Sequence, residues 1–327
     1  MPSKDIHKLT RFAKYTWFVL AWNIVVILWG VFLRASKSGD GCGQHWLTCH
    51  GEVIPSAPEL KTVIEFSHRV SSTLDGLLII VLLVWAFLIW YRQRSESTKR
   101  ILKTTTGSFI FVVIEGLLGA GLVLTGNTAE NLTPERPFWM AAHLVNTLIL
   151  LAFLTFTAWY ASGGRRLNLH IDRKFLAAIL IGAAAIILVG ISGSIAALSS
   201  MIFPSDTIAE GFAKDFSATS NILLRLRLLH PITAILTSVL LIFLTGWLTK
   251  ASGKDRSVAR WSNVLSILIL AQIAFGAATL LTLAPIVMQL GHLFLADAIW
   301  ICYVLFSANF LSSRKMADDD DIKFGVS

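Results

Sequence analysis

Long apolar blocks separated by polar connections set the pattern of this chain. Eight of them run approximately Thr16–Leu33, Phe66–Trp90, Ile101–Thr125, Phe138–Ala161, Phe175–Leu198, Leu226–Thr249, Val258–Leu283 and Ile286–Leu311. They are too long for the core helices of a soluble domain, and each approaches the roughly 20 residues a helix needs to cross a bilayer. The pattern predicts an all-α polytopic membrane protein of eight transmembrane helices. Connections alternate in character. Those after spans two, four and six are short and basic; those at 34–64, 126–137 and 199–224 are longer and carry the Pro, Gly and acidic residues.

The second half repeats the first weakly. Glu115-Gly-Leu-Leu-Gly119-Ala in span three answers to Gln272-Ile-Ala-Phe-Gly276-Ala in span seven, and Ala-His143-Leu opening span four answers to Gly-His292-Leu opening span eight. Glu65-Phe-Ser-His68 opening span two answers to Arg227-Leu-Leu-His230 opening span six. A duplicated unit of four helices predicts two pseudo-symmetric four-helix bundles, 1–165 and 166–315, followed by a disordered acidic tail at 316–327.

Polar residues at the mouths of such spans are costly to bury and point to function. Glu65 and His68 are three apart and share a helix face, which Ser72 and Asp75 continue. Spans two, four, six and eight all begin on the same side of the membrane, so His68, His143, His230 and His292 are expected at similar depth. Two imidazoles from facing helices of one bundle form a bis-histidine heme site, and the pairs would be His68 with His143 and His230 with His292. The halves differ three residues before the histidine, where the first has Glu65, a candidate for proton exchange, and the second has Arg227. Arg225 and Arg227 suit carboxylates such as heme propionates, and they suit lipid headgroups equally.

Composition agrees with the membrane reading: 55% of the 327 residues are hydrophobic, only 15% are charged, and mean hydropathy is +0.68. The net charge of +8 would suggest nucleic acid on a soluble protein. Its distribution says otherwise, because 20 of the 28 Lys and Arg residues fall on the side of the short connections. By the positive-inside rule both termini are cytoplasmic, and a bacterial plasma membrane with the first helix uncleaved is the expected setting. Cys42 and Cys49 then lie in an outer, oxidising loop and read as a disulfide, with metal ligation alongside His45 or His50 the competing reading. Cys302 reads as a small packing residue in the last span.

The motifs Gly41-Cys-Gly-Gln-His-Trp46-Leu-Thr-Cys49-His-Gly51, Ile64-Glu-Phe-Ser-His-Arg69, Phe203-Pro-Ser-Asp-Thr-Ile-Ala-Glu-Gly211 and Leu226-Arg-Leu-Leu-His-Pro231, with His143 and His292, are together specific. Over nearly its whole length the chain resembles the heme A synthase family. The resemblance implies oxidation of the C8 methyl of heme O, through hydroxylated intermediates, to the formyl group of heme A. It implies a substrate heme in the first bundle, with Glu65 catalytic and His68 and His143 as ligands, and a heme B cofactor in the second, held by His230 and His292. It matches Cys42 and Cys49 to a disulfide pair. Arg69, Arg225 and Arg227 are candidate propionate contacts. Expected partners are the lipid bilayer, heme O delivered by a heme O synthase, and an unnamed electron acceptor with a quinone as candidate; homo-oligomerisation stays open. The competing functions are a di-heme b-type electron carrier, which has no use for Glu65, and a heme or ion transporter, which calls for broken helices near the midplane.

Overall fold

A computed structural model describes residues 3–129, 131, 133–253 and 255–313, with residues 3–9 described as backbone alone. The expected tail at 316–327 lies outside the described residues. Ten helices follow in order: α1 (Ser3–Ala35), α2 (Leu60–Gln93), α3 (Glu96–Leu124), α4 (Arg136–Ala161), α5 (Arg173–Ile202), α6 (Ile208–Phe216), α7 (Ile222–Arg227), α8 (Leu229–Ala251), α9 (Arg256–Leu281) and α10 (Ile286–Ser313). No strand occurs among the described residues; the nearest feature is an isolated bridge between Cys49 and Glu52. Eight segments are long and apolar enough to span a membrane, with α7 and α8 together forming the sixth. The chain is an all-α, multi-pass membrane protein.

The helices outrun the apolar blocks. α1 has 33 residues, about 50 Å at 1.5 Å per residue, well beyond the roughly 30 Å of bilayer hydrocarbon. The sixth span departs from expectation, because it begins at Ile222 and breaks at Leu228 instead of running unbroken from Leu226. Pro231 accounts for the break: it has no N–H for the carbonyl of Arg227, and its ring crowds that carbonyl. The connection at 199–224 is likewise more ordered than a loop, since α5 runs on to Ile202 and α6 crosses it. On the short-connection side Ser95, Asp172 and Asp255 each accept a backbone N–H at the start of α3, α5 and α9, which satisfies donors the helix leaves open.

The first four helices close a ring, α1 on α2, α2 on α3, α3 on α4 and α4 on α1. α5, α8, α9 and α10 close another in the same manner. The rings join where α4 meets α5 and α10, and where α1 meets α10. α10 is the most enclosed span, 61% buried over its apolar window against 11% for the sixth and seventh spans. Two long side chains fasten it: Trp300 Nε1 donates to Leu148 O of α4 at 2.6 Å, and Tyr303 Oη to Ile179 O of α5 at 2.6 Å. Gly182 makes room for the latter, since a Cβ there would fall 2.3 Å from the Tyr303 hydroxyl. Apolar burial drives little association inside lipid, so close packing and such interhelical bonds hold the rings together.

Candidate functional site

Four histidines stand near the long-loop ends of their spans. His68 is eight residues into α2, His143 seven into α4 and His292 six into α10, while His230 follows Ile222 by eight. At 1.5 Å per residue His68, His143 and His292 lie roughly 9–12 Å along their helices, and His230 stands just past the break at Leu228.

Around His68 the structure builds a clamp on the first long loop. Glu65 is 3% exposed. Its Oε2 accepts the Cys42 N–H at 2.8 Å, and its Oε1 pairs with Arg69 Nη2 at 2.5 Å and Nε at 3.1 Å. Arg69 Nη1 reaches into the loop and donates to the carbonyls of His45, Trp46 and Thr48. Cys42 and Cys49 are disulfide-bonded, and His50 Nε2 lies 2.8 Å from Gly41 O. Thr62 Oγ1 also donates to Gly41 O, at 2.6 Å. The loop therefore grips the top of α2 through Glu65 and Arg69. Arg69, expected at a propionate, has its contacts with Glu65 and loop carbonyls.

Deeper in the first ring, His68 and His143 stand within electrostatic reach of each other, and His68 within reach of Glu115. Glu115 Oε1 lies 3.2 Å from His143 Nδ1. The contact is close but bent, and the ring nitrogen has no well-aligned acceptor. His143 is walled in by protein yet keeps 34% of its side-chain surface open, so it lines an internal space. One face of His68 rests on α1, where a Cβ on Gly30 would come within 3.0 Å of its Cε1. Below the pair Asn23 Nδ2 donates to Asp75 Oδ2 at 2.7 Å, with both residues buried.

The second ring brings His230 and His292 together, with ring centroids 6.2 Å apart and planes at 89°. Ser192 Oγ lies 3.1 Å from His230 Nδ1 and donates to Val189 O. Gly193 and Gly276 supply flat backing: a Cβ at either would stand 2.9 Å from the Cε1 of His230 or His292. Gln272 Nε2 is 3.4 Å from His292 Nε2. Above them Arg227 pairs with Asp215 of α6 at 2.5 Å and donates to Gly211 O, while Arg225 donates to Ala218 O.

Asp215, Ser192, Asn146, Thr147 and the backing glycines Gly30 and Gly193 were not singled out from the sequence. Glycines at 30 and 193 precede His68 and His230 by 38 and 37 residues, a repeat in register with the histidines. That spacing was the available signal, blurred because Gly is common in membrane spans.

A family model described as "Cytochrome oxidase assembly protein", COX15-CtaA, matches residues 13–304. A Thermus thermophilus protein named protoheme IX farnesyltransferase is 38% identical over 302 residues, covering 92% of this chain and 49% of the relative; the chain thus spans about half the length of that relative. Proteins named heme A synthase from Halalkalibacterium halodurans and Shouchella clausii are 27% and 29% identical, each covering 86% of this chain and 92% of the relative. With the match running from the first span into the last, the chain belongs to the COX15-CtaA family of cytochrome oxidase assembly proteins.

Proposed function

We propose that the chain is a heme A synthase, oxidising the C8 methyl of heme O through hydroxylated intermediates to the formyl group of heme A. The observation that carries this reading is the pairing of the entrance histidines within each helix ring. An imidazole nitrogen sits about 2.0–2.1 Å from a first-row metal ion, which puts two rings sharing one ion at roughly 6 Å between centroids. His230 and His292, at 6.2 Å, suit that spacing. Ser192 stands at the outer nitrogen of His230, where metal-bound histidines carry a partner, and Gly193 and Gly276 let the rings lie close against the helix backbone. One histidine pair in each ring is the set of residues that would hold a heme there. We assign the resident heme B to His230 and His292, and the substrate heme O to His68 and His143. Heme B, when bound, supplies a one-electron carrier next to the substrate pocket.

On this reading the units are 1–165 for substrate and 166–315 for cofactor. Glu65 is the proposed catalytic acid–base, since it is the carboxylate nearest the mouth of the first pocket on the helix that carries His68. Its bonds to Cys42 N and Arg69 hold it at a fixed place and tie its position to the closed loop. Oxidising a methyl group releases protons as well as electrons, and a fixed carboxylate takes up the former; a membrane quinone is our candidate for the latter. The long-loop face is assigned to the periplasm of a bacterial plasma membrane and both termini to the cytoplasm. Support comes from the disulfide on that face, which belongs in an oxidising compartment, and from the basic residues at the other ends of the spans. Of the three candidate propionate arginines Arg225 is the least engaged.

The test is to express the chain in a bacterium that makes heme O and no heme A, then extract and chromatograph the pigments. Appearance of heme A or its alcohol precursor is the expected result. Heme O recovered unchanged, with the protein present and heme-loaded, overturns the assignment.

A further inference from the structure

The two rings place different chemistry against their fourth-helix histidines. In the first, Glu115 Oε1 stands 3.2 Å from His143 Nδ1. Two more side chains hold that carboxylate: Asn146 Nδ2 donates to Oε2 and Thr147 Oγ1 to Oε1. Asn146 Nδ2 is itself anchored 2.9 Å from Phe111 O, and Thr147 Oγ1 2.8 Å from His143 O. The carboxylate is thus aimed by α4 even without help from the imidazole. In the second ring the matching residue is Gln272, whose Nε2 stands 3.4 Å from His292 Nε2, the other ring nitrogen from the one Glu115 meets on His143. The positions three and four beyond the histidine are Leu295 and Ala296 in place of Asn146 and Thr147. Acid and both supports are present together in one ring and missing together from the matching positions of the other, whose buried acid, Asp297, lies five residues past His292.

We propose that Glu115 is a positioning residue that loads negative charge onto His143, and that this charge, against the neutral Gln272, makes the first pocket the reactive one and the second the resident one. The inference rests on the assignment of a heme to each ring. A carboxylate beside the outer nitrogen of a ligating histidine raises its basicity through its charge even where the contact is bent, and more so where it accepts the N–H. A more electron-rich ligand favours the oxidised metal, so a heme held by His143 has a lower midpoint potential than it would beside an amide.

The test takes the full-length chain, purified in detergent, with His230→Ala and His292→Ala, so that added heme B reports on the first pocket alone. Adding Glu115→Gln should raise the midpoint potential, changing the oxidised-to-reduced ratio at a fixed potential about tenfold, which is about 59 mV for a one-electron couple. Glu115→Asp, which keeps the charge, should stay within about threefold of the parent. Potentials unmoved by Glu115→Gln overturn the inference while leaving the heme sites standing. Heme B that binds the parent chain but not the His230→Ala, His292→Ala chain overturns the first pocket itself.

Discussion

Three residues before His68 stands Glu65, and three residues before His230 stands Arg227. Each is joined to a partner of opposite charge, Arg69 for the one and Asp215 for the other. Each pair ties down the loop above its pocket: Arg69 through carbonyls of the disulfide loop, Arg227 through Asp215 and Gly211 of α6. The same mechanical task is met with the charges exchanged. What differs is the group three residues before the histidine, a carboxylate in the first ring and a guanidinium in the second. A guanidinium stays protonated under all working conditions and cannot exchange a proton with substrate. A carboxylate can. On that comparison the halves share a scaffold, and the proposed chemistry follows the acid.

The comparison breaks most completely at the metal. Replacing His230 with Ala should remove heme B from the second pocket and abolish product, whereas His68→Ala should leave heme B bound; the reduced pyridine complex, quantified per protein, reads both. Next, Glu65→Ala should cut heme A formation by about 10²–10⁴, the usual contribution of a positioned acid–base group, with heme B content unchanged. Arg227→Ala, at the matching place in the other ring, should leave turnover of heme-loaded protein within a few-fold. Equal losses from the two substitutions would erase the distinction.

Cys42→Ser sharpens it from the loop side. Opening the disulfide should cost about 2 kcal/mol of stability, seen as a lower melting temperature, and should reduce activity less than Glu65→Ala because Arg69 still holds the loop carbonyls. Smaller again is the coupling between Arg227 and Asp215, expected near 1 kcal/mol from a double-mutant cycle in thermal unfolding. The smallest effect belongs to Trp300→Phe, which removes one interhelical hydrogen bond worth about 0.6 kcal/mol.

Much of the architecture was legible from the apolar blocks, because hydrocarbon thickness sets span length almost independently of sequence detail. The histidines were legible for a related reason: an imidazole within a span is expensive enough to signal purpose. The partners of the charged residues were less readable. Arg69 donates to main-chain carbonyls of a loop, and every residue carries a carbonyl, so no side-chain pattern marks the contact. Asp215 reaches Arg227 only because α6 folds back beside α7, and nothing in the pattern of that long connection marks a helix there. Asn23 and Asp75 meet across 52 positions, joined by ring closure and by nothing local. The break at Leu228 was foreseeable from Pro231, whose missing donor acts one turn upstream.

The placement of α10 bears on biogenesis. The most enclosed of the ten described helices is also the last of them to leave the ribosome, and it carries both His292 and the hooks that fasten the two rings. Until it inserts, α4 and α5 lack their shared pillar and the second pocket lacks a wall. During translation the nascent bundle is therefore open along the side that α10 will fill, and insertion of the final helix shuts it.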